Sequence, residues 1–278
     1  MKRSTERILT THTGSLPRPD GLMRMIIAKE QGALVDTNEF TDIVYNAVAE
    51  AVRRQVAIGI DIISDGEMSK IGFANYIKDR LAGFGGQSKP LVAQDILDHP
   101  DLHVFRRNEE SGGRNFIPAC TGPIALSDQN AVHRDIANIK TSLQEMQPEG
   151  IFMPAASPGA IAQVMQNTYY PHQDTYLYAL ADAMRYEYQA IIAAGFSLQL
   201  DCPDLAMQRH VRFADASINE FRRHLQQSIE VLNYALHGIP AEQVRVHVCW
   251  GNYHGPHHRD VPLKEIIDLL LEIPCCAL

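Results

Sequence analysis

Residues 244–252, Val-Arg-Val-His-Val-Cys-Trp-Gly-Asn, combine the side chains of this chain best suited to chemistry. Apolar residues at 244, 246 and 248 give the period-two rhythm of a strand. His247 and Cys249, two apart, are then expected on one face, with Cα atoms roughly 7 Å apart. An imidazole and a thiolate converging from one side can share a borderline divalent metal. Zinc takes mixed nitrogen and sulfur ligands without redox change. The plain alternative is a buried strand whose cysteine packs as a small hydrophobe and whose histidine is satisfied by a hydrogen bond.

The elements that must position this pair follow a repeating pattern. Residues 8–15 read as a strand closing in a glycine turn. Apolar residues at 40, 43, 44, 47, 48, 51, 52 and 56 form a helical stripe, with Thr37 or Asn38 as the expected cap and Gly59 past the end. A short strand over 60–64 runs into Asp65-Gly66-Glu67. Residues 83–115 are polar and poorly periodic, a loop excursion with a candidate hairpin at 102–105. Strand character resumes at 116–120, followed by Thr121-Gly122-Pro123 and a helix over 128–146. A strand at 151–156 and a short helix come next, then a helix over 174–194. The strand at 196–200 ends in Asp201-Cys202-Pro203. A helix over 218–236 precedes the strand carrying His247. Pro262 opens a last helix, and 274–278 starts a seventh strand.

Strand and helix alternate, so βαβ units and a parallel sheet are expected. The strands' carboxyl ends carry the polar residues, as active sites of (β/α)8 barrels do. No glycine-rich dinucleotide fingerprint follows the first strand, which disfavours a Rossmann arrangement. The expectation is one TIM-type (β/α)8 barrel domain over residues 1–278, cut short before its last strands.

Composition narrows the function. Twenty-five basic against 33 acidic residues give a net charge of −8, and no basic stripe stands out, which argues against nucleic acid as partner. No window offers the roughly 20 uninterrupted apolar residues of a membrane span, and the charged start is no secretory leader. Five cysteines in 278 residues make no disulfide framework. Their apolar contexts fit a reducing compartment, the cytoplasm by default.

Together the motifs Thr13-Gly14-Ser15-Leu16-Pro17-Arg18, Asp65-Gly66-Glu67, Thr121-Gly122-Pro123, Leu200-Asp201-x-Pro203 and His247-x-Cys249 resemble the catalytic barrel of cobalamin-independent methionine synthase and its short single-domain relatives. The resemblance implies a zinc-dependent methyltransferase that moves a methyl group to the thiol of homocysteine. It implies Zn2+ as cofactor, with His247 and Cys249 as metal ligands. It assigns Glu67 and Asp201 to the amino group of homocysteine, and the turn at Gly14-Ser15 to the substrate carboxylate through backbone N–H groups. Residue by residue, Asp65 or Glu67 could instead cap a following helix, and Asp201 could brace a turn.

The family's remaining glutamate and cysteine ligands, and the histidine it uses as proton shuttle, fall beyond Leu278, so no proton-shuttling residue is assigned and a longer natural protein is expected. Cys275 and Cys276 are expected in the core. His254, His257 and His258 are read as a loop over the site mouth. No tryptophan follows Thr121-Gly122-Pro123, and Cys202 stands where the family has glutamate, so methyltetrahydrofolate as donor is less supported than the thiol. Three alternatives stay open. One is a related zinc-thiolate alkyltransferase such as epoxyalkane:coenzyme M transferase. Another is a metal-free binding protein or inactive shortened homologue, and the third a uroporphyrinogen-decarboxylase-like barrel. Self-association is also open.

Overall fold

The structure, a computed structural model, describes residues 2, 4–102, 117–144 and 146–278. Its centre is a parallel sheet ordered β1 (Ile62–Ile63), β4 (Gly150–Ala156), β5 (Ser197–Asp201), β6 (Val244–His247). Isolated parallel bridges extend it at both edges, Thr11 to Ile62 and Arg245 to Ala277. β4 and β5 are buried on both faces over most of their length, as expected of strands covered by helices. The fold is mixed α/β.

The strand expected over 8–15 contributes a single bridge. It is held to β1 by Asp61 N and Ile62 N, which donate to Thr10 O (3.2 and 3.0 Å), and by the Asp61 carboxylate, which accepts from Thr10 N (2.7 Å) and from Arg7 Nη1 (2.8 Å). The seventh strand is likewise reduced to backbone bonds from Val246 N to Ala277 O and from Cys276 N to Val244 O, both 2.9 Å.

One expected strand lies elsewhere. β2 (Leu81–Gly85) and β3 (Ala119–Leu126) form a separate antiparallel pair, and β1 joins β4 directly. Thr121-Gly122-Pro123 is therefore inside β3 and not a turn after it. A strand proline removes a ladder donor, and the pair accommodates it with a register shift between Ala82 and Phe84. Gly83 sits there at φ +100°, where a Cβ would lie 2.6 Å from Pro123 O. Side-chain patterning could not separate this two-strand excursion from a sheet strand, because both alternate with period two. Apart from Leu102, the candidate hairpin at 102–105 lies outside the described residues.

The helices follow their stripes closely. α1 (Asp20–Glu30) was not expected, masked by Pro17 and Pro19. α2 (Thr37–Ala57) starts one residue before the expected caps: Asp36 accepts from Asn38 N and Glu39 N, both 2.9 Å. α3 (Gln94–Leu97) is a single turn in the excursion. α4 (Ala131–Leu143) packs on α2, while α5 (Pro158–Val164) and α6 (Gln173–Ala193) follow β4. α7 (Asp204–Val211), unforeseen, starts straight after β5. α8 (Ile218–Ala235) opens with a reciprocal capping box between Ser217 and Glu220. The last helix is shorter than expected, a 3-10 turn and α9 (Ile267–Leu270).

A buried ionic knot ties the two-strand excursion to the helical layer. Arg80 pairs with Asp135 of α4 and, at 2.7 Å, with Glu187 of α6. Tyr76 donates to Glu187 (2.7 Å) and accepts from Ala156 N (3.2 Å). Every charge in the knot has an opposite partner, the condition under which buried ions are tolerated.

Candidate active site

The carboxyl ends of β1, β5 and β6 converge. β5 and β6 are in register with Asp201 beside His247, and Cys202 N donates to His247 O at 2.9 Å. The turn after β1 brings in Glu67. Its backbone is left-handed, at φ +57° directly after Gly66 at φ +64°, a conformation costly for a residue with a Cβ. Contacts from both sides hold this turn. Asp65 Oδ1 accepts from Glu67 N at 2.9 Å, and Arg18 Nη2 donates to Glu67 O at 2.8 Å. Ser15 Oγ donates to Glu67 Oε2 at 2.7 Å, and Leu16 N donates to Gly66 O at 3.0 Å.

Ser15 was assigned through its turn backbone. What the structure gives it is a hydroxyl contact to Glu67, a link across 52 residues that no local pattern carries. Arg18 and the buried Lys70, whose ammonium donates to Pro154 O (2.5 Å) and lies over the Tyr76 ring, were not singled out.

The electrostatics are those of crowded anions with little water. Asp201 is pushed up to about 7, first by burial and then by Glu67. Burial raises Asp65 and Asp204 to about 6. Asp204 accepts from Ser157 Oγ at 2.8 Å and occupies the space beside Gly159, where a Cβ would lie 2.0 Å from its Oδ2.

Cys249 lies past the end of β6, in the loop, so the strand alternation expected over 244–249 stops at His247. It is half-buried all the same, and its thiol is raised by burial and by Asp201 and Asp204. His247 is lowered by burial and by Arg245, against an opposing pull from Glu67. The imidazole is thus neutral near pH 7, the form that ligates, and the thiol needs a nearby cation to ionise. The donor chemistry fits a borderline divalent ion. It stops at two ligands, and among the described residues no group of three or more His, Cys, Asp or Glu is arranged to hold a metal.

The expected core placement of Cys275 and Cys276 is only partly met. Both are half-exposed, and Cys276 Sγ donates to Val244 O at 3.1 Å. The histidine loop folds onto α3 and α7. His257 N and Tyr253 Oη donate to Asp95 Oδ2 at 2.9 and 2.8 Å, and His258 and Arg259 engage Asp98. A cavity of about 690 Å³ opens elsewhere, between α1, α2 and α4, and shares no lining residue with this site.

No protein-family model matches the chain. The methionine synthase of Sulfolobus acidocaldarius is 26% identical over 245 residues, 88% of this chain and 62% of that protein. That of Pyrococcus furiosus is 25% identical over the same shares. The chain is similar to methionine synthases. The chain spans only about 62% of the length of these methionine synthases. A B12-independent methionine synthase from Shewanella sp. W3-18-1, solved with selenomethionine, superposes with a TM-score of 0.62 at 20% identity. That match covers 87% of this chain and 61% of the other, and it supports the fold. Among the described residues no helix is long and apolar enough to cross a membrane.

Proposed function

We propose that this chain is the catalytic part of a zinc-dependent, cobalamin-independent methyltransferase that converts homocysteine to methionine, built on a (β/α)8-type barrel. One observation carries the reading. Two carboxylates, an imidazole and a thiol come from three separate parallel-strand ends, with Asp201 in register with His247 and Glu67 close enough to raise Asp201. The similarity to methionine synthases over 88% of the chain points the same way.

Barrel curvature is supported by Arg245 of β6, which reaches Thr11 Oγ1 (3.0 Å) and His12 O (3.2 Å) at the opposite edge of the sheet. A zinc ion held by His247, Cys249 and further ligands would ionise the incoming thiol. The residues here do the rest. Glu67, oriented by Ser15, and Asp201 take the ammonium of homocysteine between them, and that positive charge draws Asp201 back to its ionised form. The thiol gives up its proton to solvent, its sulfur forms the new bond to the methyl carbon, and the donor leaves with the electron pair of the broken bond and takes up a proton in exchange. The donor, a methylfolate or another methyl carrier, is not identified by these residues. A sulfonate-bearing thiol such as coenzyme M would be repelled by the same carboxylates, which sets the epoxyalkane-type reading second. Cytoplasmic residence belongs to this proposal and rests on the cysteine usage.

The test is zinc per chain and methyl transfer to homocysteine in the wild type and Cys249→Ser. Loss of most bound zinc and at least a hundredfold loss of transfer, with the melting temperature held, is expected. Full activity in the variant, or a wild type without zinc, overturns it.

A further inference from the structure

We propose that Gln199 is a positioning residue: locked by Arg245, it aims the Asp201 carboxylate at the ammonium group of the substrate. The inference rests on the proposed binding of an amino acid by Glu67 and Asp201. Gln199 and Asp201 are two apart on β5, so they share a face of the sheet, and both are buried at 1% and 6% exposure. Gln199 Nε2 donates to Asp201 Oδ1 at 2.8 Å, and Gln199 Oε1 accepts from Arg245 Nε at 2.9 Å.

The direction of this chain is set by chemistry. A guanidinium only donates and an amide is donor at one end and acceptor at the other. Facing Arg245, the amide must turn its oxygen to the arginine and its NH2 to Asp201. Arg245 cannot swing away to release it. It is the cross-strand neighbour of Gln199 in the β5–β6 register. Its guanidinium lies 3.6 Å from the Phe152 ring centroid and donates to Thr11 Oγ1 and His12 O.

The bond from Gln199 is the one hydrogen bond of the Asp201 side chain among the described residues. It pins Oδ1 and so fixes the plane of the carboxylate, leaving Oδ2 for a ligand. A carboxylate fixed in this way pays no ordering cost when the ammonium arrives. Without it, Asp201 would feel repulsion from Glu67 and through-space attraction from Lys70 and Arg245, none of which fixes the plane of the carboxylate.

Binding of the product and its des-amino analogue separates this role from simple packing and needs no metal. Wild-type protein, titrated calorimetrically, should bind methionine at least about tenfold more tightly than 4-(methylthio)butanoate. In Gln199→Leu methionine binding should weaken about tenfold, the scale of a lost hydrogen bond to a charged group, with the analogue unchanged. Gln199→Glu keeps an acceptor for Arg245 and so protects folding, but removes the donor to Asp201; it should lose the same discrimination. If both variants keep the wild-type ratio, or weaken both ligands equally, Gln199 only packs and the inference is overturned. A wild type that does not prefer methionine over the analogue overturns the amino-acid reading itself, and this inference with it.

Discussion

Glu67 concentrates the residue-scale argument. It holds a left-handed backbone without being glycine, and it persists because Asp65, Arg18 and Ser15 each fix a different atom of it. Strain held by surrounding contacts is common where a side chain must point at a ligand. Glu67→Gln should therefore leave the fold intact and weaken homocysteine binding about tenfold or more, by loss of charge at fixed shape. Isothermal titration checks this, and unchanged affinity would mean the substrate lies elsewhere. The Asp-Gly-Glu run was legible from its place after a strand. The Ser15 hydroxyl contact was not, because its partner is 52 residues away.

At the scale of elements, the loop after β6 is held by one buried carboxylate. Asp95 is fully buried, and its Oδ2 takes both Tyr253 Oη and His257 N. Around it stand His210, 3.3 Å from Asp260 and in contact with Tyr253, and Asp98 with His258 and Arg259. Gly255 lets the Tyr253 ring lie against the loop, since a Cβ there would sit 2.3 Å from Tyr253 Cε2. Asp95→Ala would strand the His257 amide, at about 1–3 kcal/mol, and leave the Tyr253 hydroxyl to its 3.3 Å contact with His210. The expected outcome is faster hydrogen exchange at the His257 amide and a lower melting temperature, with β4 and β5 unaffected. Equal protection of the loop in the variant would refute Asp95 as its anchor. The sequence pointed to this stretch as a loop, and residues 248–262 hold no helix or strand. Its docking on α3 was hidden, because α3 is a single turn in a segment without periodicity.

For the whole molecule, acid stability is a contest of two signs. His224, stacked on Phe213 at 4.5 Å, is lowered to about 4 by burial and by Arg212. Below its ordinary value of 6.5 the unfolded chain takes up a proton that the folded chain refuses, so stability is lost as pH falls from about 6.5 towards 4. Asp204 works oppositely. Raised to about 6 from 3.8, it holds a proton in the folded state that the unfolded chain has released. Its contribution is therefore present at low pH and lost as pH rises from about 4 to 6. His224→Gln should flatten the acid limb of the melting-temperature profile, and Asp204→Asn should steepen it. Denaturation scans from pH 4 to 7 decide; variants that both run parallel to the wild type would remove these two groups from the account.

What the sequence settled unaided is what lies within one element. The α2, α6 and α8 stripes, the apolar β4 and β5 runs and the polar residues at strand ends are legible because a side chain's face depends on its neighbours three, four or two positions away. What needed the tertiary structure is who meets whom. The antiparallel pairing of β2 with β3, the place of Cys249 beyond β6 and the Arg245–Gln199–Asp201 chain all join residues whose partners periodicity does not name. Such pairings are chosen by the packing of the whole chain, where burial and hydrogen-bond satisfaction over distant segments outweigh any local preference.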